Sequence, residues 1–515
     1  MKRRKKQSRK TELQSSISTG ELKSTFLKKS LEENLASIKQ MMGNSSDFVV
    51  REVPINKQSF KKTKAAILYI DGLIDKNTVN EYVMEALMYE PVEDHLTIQH
   101  ISEQVKNNQL PIGDLKEVTE LKKMFHHLLS GDTVILLDRE TTALAASTRG
   151  WRDRGVQETT SEGVIRGPKE AFTETLRTNT ALIRRKIKDS NLRVDSKVLG
   201  KYTQTDIAVL YLEGMAEKSV IEEVHRRLDQ IDIDGVLESG YIEEYIQDAD
   251  YTPFPTVYYS ERPDAIAAGI LEGRVAIITD GTPIVLLVPT LFINFMQSSE
   301  DYYQRYDIST AIRLLRLLAF NIALFMPALY IAFTTFHQEM IPAPLLINLA
   351  AQREGVPFPA FVEAMIMELT FEILREAGVR LPRAVGSAVS IVGALVLGDA
   401  AVQAGLVSPG MVIVVAITAI SSFVFPSYNM AIPIRILRFL FMALAATFGL
   451  YGIILGLIMM VMHLCNLQSF GVPYMSPLAP FVPKDQKDTL LRFPRWGLFS
   501  RPSFISKTNK KRNNH

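Results

Sequence analysis

The apolar positions of this chain fall into two regimes. Before Arg313 they come as short runs set between charged stretches, from 314 to 464 they dominate, and the remainder is polar again. The run Ala65-Ala66-Ile67-Leu68-Tyr69-Ile70 ends at Asp71-Gly72. A half-exposed strand would alternate, so a continuous run predicts a strand covered on both faces. Helical periodicity follows over 78–89. The same unit then recurs: a strand-like run at 207–212, Glu213-Gly214, and a helix over 219–228. Glu213 follows Asp71 by 142 positions, and Gly273 follows Gly131 by the same 142. The segment from Gly131 to Asp138 also aligns with that from Gly273 to Asp280. Two matched strand–turn elements at one offset indicate a duplication.

The second regime predicts membrane helices. Residues 314–336 form an uncharged stretch long enough to cross a bilayer except for Arg316, preceded by Arg305 and Arg313. Further spans are expected at 385–402, at 411–425 (stopped by Pro426) and at 439–464, which holds Gly449, Gly452 and Gly456. The run 284–296 is too short to span and contains Pro289, so it reads as an interfacial elbow. The fold class expected is thus an α/β duplicated cytosolic head followed by an all-α polytopic membrane domain. The division is 1–45 basic extension and short helix, 46–150 first α/β subdomain, 151–194 linker and basic helix, 195–290 second subdomain, 291–312 elbow, 313–465 transmembrane domain and 466–515 tail. A fragment of about 45–290 is expected to fold without the spans.

Helix 358–375 is ambiguous. It is apolar, yet Glu368, Glu372 and Glu376 share one face at i, i+4 spacing with Arg375 beside them. Intramembrane carboxylates face a bundle interior or water. These four residues form a candidate intramembrane charge network, and a surface amphipathic helix is the alternative. Parity stays open. Four spans keep both termini in the cytosol, whereas five bring Arg375, Arg380, Arg383, Arg435 and Arg438 there. The larger basic cluster of the tail favours an even number.

Composition removes several classes of function. A net charge of +2 over 515 residues does not suit general nucleic-acid binding. The single Cys465 excludes an internal disulfide and a cysteine metal site. No phosphate-binding glycine loop, dinucleotide fingerprint or nucleophile elbow is present. His126 and His127 are adjacent, not at the i, i+4 spacing that converges on a metal. Neither enzyme activity nor any cofactor is expected.

Several strings carry a resemblance: Arg166-Gly167-Pro168-Lys169, Glu261-Arg262-Pro263-Asp264, Ser299-Glu300-Asp301-Tyr302-Tyr303, the segment from Arg353 to Pro359, and the long segments 368–382 and 393–409. Together they resemble the A subunit of GerA-type spore germination receptors, over about 47–477. The opening segment 47–52 is more similar to a nutrient-receptor subunit than to its stage V sporulation relative. The resemblance implies the inner membrane of the bacterial endospore. It also implies a transporter-like B subunit and a lipoprotein C subunit as partners, and homo-oligomers whose ring forms an ion conduit opened by nutrients. A carrier-like transporter that binds the nutrient itself is the alternative, and a purely structural scaffold a third. Within a ring, helix 385–403 is the candidate pore wall. Gly386, Ser390, Ala394 and Gly398 form a small-residue stripe for helix packing. Val389, Val392, Val396, Asp399 and Gln403 lie on a different face and are the candidate pore-lining residues.

Overall fold

The computed structural model describes residues 26–43, 45–54, 64–84, 115–150, 162–380 and 398–506. Continuous apolar runs become strands here because both faces of each sheet are covered. The first sheet holds β1 (Phe48–Pro54), β2 (Lys64–Ile70), β3 (Leu115–Val118), β4 (Thr133–Leu137) and β5 (Ala143–Ala146), in the order β1-β2-β4-β5-β3. On β2, Ala66, Leu68 and Ile70 pack with helices α1 (Leu31–Met42) and α2 (Leu121–Leu128). Ala65, Ile67 and Tyr69 pack on the other side with Val79 and Val83. The helices cover both faces, but every described strand pairing is antiparallel.

The second sheet repeats the plan. Strands β6 (Leu192–Leu199), β7 (Thr205–Leu212), β8 (Tyr258–Ser260), β9 (Val275–Thr279) and β10 (Val285–Val288) lie in the order β6-β7-β9-β10-β8. One face packs on α3 (Leu176–Lys186) and α6 (Pro263–Leu271), the other on α4 (Lys218–Asp229) and α5 (Ser239–Ile246). Strands β4 and β9, and β5 and β10, coincide residue for residue at the 142-residue offset. The registers coincide too: Ala65 pairs with Leu137 as Ile207 pairs with Thr279. The turns before β4 and β9 show why. Gly131 and Gly273 have φ of +93° and +98°, and a Cβ there would lie 2.9 Å from the Leu73 carbonyl and 2.8 Å from the Met215 carbonyl. Only glycine satisfies both the dihedral and the approach.

Each unit opens with a helix held in the same way. Buried Asn34 takes the backbone N–H of Lys28 (2.9 Å) and donates to its carbonyl (2.6 Å). Asn179 does so with Thr173 (2.8 and 2.6 Å). Asp138 and Asp280, again 142 apart, accept from the first helical N–H of α1 and α3. Thus α1, which the sequence leaves in the 1–45 extension, packs in the first core, and α3, left in the 151–194 linker, packs in the second. The basic face of α3 is spent inside the head. Arg184 forks onto Asp47 (2.7 and 2.8 Å) and Ser45, joining the two units, while Arg185 and Lys186 meet Glu170.

A soluble fragment should therefore begin near residue 26, not 45. A fragment 26–290 is expected to unfold cooperatively on heating. A fragment 45–290 loses Leu31, Leu35, Ile38 and Met42 from the first core, each worth about 1.5–3 kcal/mol of burial, and is expected to aggregate or melt broadly by circular dichroism. Equal, sharp transitions for both would show that α1 is dispensable.

The second half is helical: α7 (Tyr306–Thr335), α8 (Ala343–Arg353), α9 (Ala360–Arg380), α10 (Gly398–Gln403), α11 (Pro409–Ser422), α12 (Tyr428–Phe448) and α13 (Leu450–Asn466). Among the described residues two stretches are long and apolar enough to cross a membrane, Tyr306–Thr335 and Tyr428–Asn466. The second corrects the reading of 439–464 as one span. The chain breaks at Gly449 (φ +59°), and α13 folds back on α12, with Gly456 against Leu444 and Phe441. A straight helix would hold Phe441 and Gly456 about 22 Å apart. The run 284–296 is corrected as well. Its first part is strand β10, and only Phe292–Met296 is a 3-10 turn of the elbow. The misreading of 284–296 arises because an apolar run does not reveal whether protein or lipid covers it.

Neighbouring contacts give the helix directions. Arg438 lies level with Ala323 and Glu368, while Ser408 lies level with Tyr330 and Glu363. Helix α9 therefore runs against α7. Phe336 and His337 lie beside Gly449, so α12 runs with α7 and α13 returns. His463, near the end of α13, meets Thr252 of the head at 2.8 Å. The tail then stays on the head: Ser469 bridges Thr290 and Thr256, Phe470 lies under Arg227 (4.2 Å), and Ser506 reaches the Met215 carbonyl.

Candidate functional site

Carboxylates spaced by four or five residues on an apolar helix meet a polar partner at each turn. Glu363, Glu368, Glu372 and Glu376 do so along α9. Glu363 accepts from the backbone N–H of Ser408 (2.5 Å) and from its hydroxyl, and Arg353 stands 3.8 Å away. Glu368 is fully buried and receives Nη1 of Arg438 at 2.6 Å, while Nε of Arg438 donates to the Ala323 carbonyl (2.8 Å). Glu372 lies between Arg375 (3.1 Å) and Arg435 (3.4 Å), and Arg375 reaches Ser422. Glu376 is exposed and pairs with Arg380. The structure thus brings Glu372 and Arg375 together and assigns Glu368 a different partner, Arg438. Helix α9 does not present Glu363 or Glu368 to a surface, since neither has any exposure. In a water-poor bundle such charges persist only when paired.

Sequence reasoning missed the pairing of Glu368 with Arg438. The available signal was that Arg435 and Arg438 lie about one helical turn apart, as Glu368 and Glu372 do on a facing helix. Of the candidate pore-wall helix, Gly386, Val389, Ser390, Val392, Ala394 and Val396 lie outside the described residues. Gly398 is buried, Asp399 and Gln403 are exposed, and the Gln403 amide donates to Asp399 at 2.7 Å.

A second charged cluster joins head and bundle. Asp301 of the elbow, 2% exposed, accepts from Arg313 (3.1 Å) and Arg316 (2.7 Å) of α7. Arg313 also meets the Asp488 side chain (3.1 Å) and the Asp488 and Thr489 carbonyls of the tail. Burial pushes the Asp488 carboxyl up from its ordinary value, and Arg313 and the Tyr302 hydroxyl pull against that. Beside it three of the quoted strings converge. Arg262 bonds the Pro168 carbonyl and Asp264, and Tyr303 donates to Asp264 (2.6 Å) while its ring covers Gly167. Glu162 accepts from Ser260, and burial pushes its carboxyl up to about 7. Among the described residues no group of three or more His, Cys, Asp and Glu is arranged to hold a metal ion.

Comparison with known proteins gives the family. The model of the Bacillus/Clostridium GerA spore germination protein matches residues 36–504. Spore germination protein KA of Bacillus subtilis is 52% identical, over 94% of this chain and 88% of its own. Spore germination protein A1 of the same organism is 37% identical over 95% and 98%. An uncharacterized membrane protein, YfkQ, also from Bacillus subtilis, is 44% identical over 93% and 92%. Among solved structures, the N-terminal domain of the A subunit of the Bacillus megaterium spore germinant receptor GerK3 is 37% identical, covering 53% of this chain and 99% of that one, with a TM-score of 0.43. With its matched residues running from within the first helix to Phe504 of the tail, the chain belongs to the GerA family of spore germination proteins.

Proposed function

We propose that this chain is the membrane subunit of a nutrient-responsive spore germination receptor in the inner membrane of the endospore, and that its copies assemble into a ligand-gated ion conduit. The ladder of paired charges along α9 carries the reading, because a passive anchor has no need of buried acids. Length supports it. From Leu314 to Thr335, α7 covers about 32 Å, the thickness of a bilayer core of roughly 30 Å. The return of the tail to the head supports an even number of crossings, with a multi-pass helical domain at 313–465 and the head of 46–290 in the cytosol. The partners are a transporter-like B subunit, a lipoprotein C subunit and further copies of the chain. The gate is assigned to helix 385–403, with Val389, Val392 and Val396 forming an apolar constriction and Asp399 and Gln403 at its mouth. The stripe of Gly386, Ser390, Ala394 and Gly398 packs on neighbouring helices.

The test is ion flux from spores and from liposomes carrying the purified receptor. Val392→Ala and Val396→Ala are expected to release ions without nutrient, and Asp399→Asn to cut cation flux several-fold at unchanged protein level. Valine variants that stay strictly nutrient-dependent would remove the gate from this helix.

A further inference from the structure

Between the second unit, the elbow and the tail lies a cleft of about 420 Å³. Arg274 and Tyr258 of the second unit, Gln297 and Tyr303 of the elbow, and Arg495 and Arg501 of the tail line it. Of its two carboxylates, Asp264 accepts through Oδ2 from Arg262 and Tyr303 while its Oδ1 has no hydrogen-bond partner among the described residues, and Glu272 meets Arg274 at 3.2 Å. The Arg274 side chain is 5% exposed, and its Nε has no hydrogen-bond partner among the described residues. A buried guanidinium N–H without a partner among the described residues, with two more guanidiniums at the same cleft, suits an oxyanion as acceptor.

The position of the cleft narrows the source of that anion. Arg492 and Thr310 exchange two hydrogen bonds (3.1 and 3.2 Å), which fixes the tail against the second turn of α7. Exposed apolar residues of α7 lie on both sides of that turn, Tyr306 and Ile308 before it and Leu314 about 6 Å further along the axis. Residues 495–501 therefore stand at the depth where the helix leaves the head. Trp496 (76% exposed) and Phe499 (44%) are there as well, and exposed aromatics beside arginines are the side chains found at bilayer interfaces. We propose that this cleft binds the phosphate of an anionic phospholipid headgroup, held by Arg274, Arg495 and Arg501. A bilayer lipid would then be a ligand at the junction between head and spans.

The proposal rests on α7 crossing a bilayer, and the need for detergent to extract the full chain reports on that separately. The chain purified in an uncharged detergent is titrated with phosphatidylglycerol, phosphatidylcholine or inorganic phosphate. Thermal unfolding is followed, together with Trp496 emission in a Trp151→Phe background. Phosphatidylglycerol is expected to raise the melting temperature and shift the emission to the blue, and phosphatidylcholine to do neither. In R495Q/R501Q, at one exposed and one half-buried position, half-saturation should move up by roughly thirtyfold, as two charges near a membrane surface give. No response to phosphatidylglycerol, or an unchanged response in the double variant, would overturn the site. An equal response to inorganic phosphate would overturn the lipid as its source.

Discussion

Glu368→Ala should remove most of the protein from the membrane. Glu368 and Arg438 are 0% and 1% exposed and meet at 2.6 Å. Deleting the carboxylate leaves a buried guanidinium with only the Ala323 carbonyl as its partner, a change that costs about 3–5 kcal/mol. That is a large part of the stability of most folded chains, about 5–15 kcal/mol. Glu368→Gln keeps an acceptor but not the charge and is expected to fall between. Glu368→Leu with Arg438→Leu should restore much of the loss, because the pair is incompletely satisfied: among the described residues Oε1 of Glu368 and Nη2 of Arg438 lack partners. Immunoblots of spore membranes and melting in detergent read both effects, and a double-mutant cycle gives the coupling. Wild-type abundance and melting of Glu368→Ala would mean the pair contributes no stability.

Asp301→Asn should be nearly as severe, with a different signature. This side chain, 1% exposed, balances two arginines of α7 at once. Neutralising it leaves both without a full counter-charge, again at about 3–5 kcal/mol. Asp488→Asn should cost less, about 1–2 kcal/mol, because its side chain is 22% exposed and backbone carbonyls of the tail share its role on Arg313. The cluster lies between head and spans, so the head should stay folded while the elbow loosens. Limited proteolysis is expected to cut Asp301→Asn within 291–306 well before the head is digested, and nutrient-triggered germination should fall with it. Uniform digestion, or a larger loss for Asp488→Asn, would move the junction elsewhere.

What could be read beforehand follows from the range of the forces involved. The duplication was legible because strand burial and tight turns leave local marks: the apolar run before Asp71-Gly72 and the glycine at 131 both recur in place. The helices α1 and α3 were separable from their sheets only because their attachment, through Asn34, Asn179, Asp138 and Asp280, is side chain to backbone and leaves no periodic trace. The partner of Glu368 lies 70 residues away. Helical spacing reports which acids share a face, not which cation faces them. The reversal at Gly449 was hidden because Gly449, Gly452 and Gly456 suit both a close-packed span and a hairpin.

The equal spacing of the two halves also records how they have diverged. From the helices that begin at Lys76 and Lys218 to the strands that end at Ala146 and Val288, the matched strands keep one offset to within one residue. Within those limits Asp132 faces Arg274 in the alignment, and Leu121 faces Pro263. Substitutions have accumulated while net insertion and deletion have not. Selection has thus held the length of chain between these elements more tightly than the identity of most residues along it.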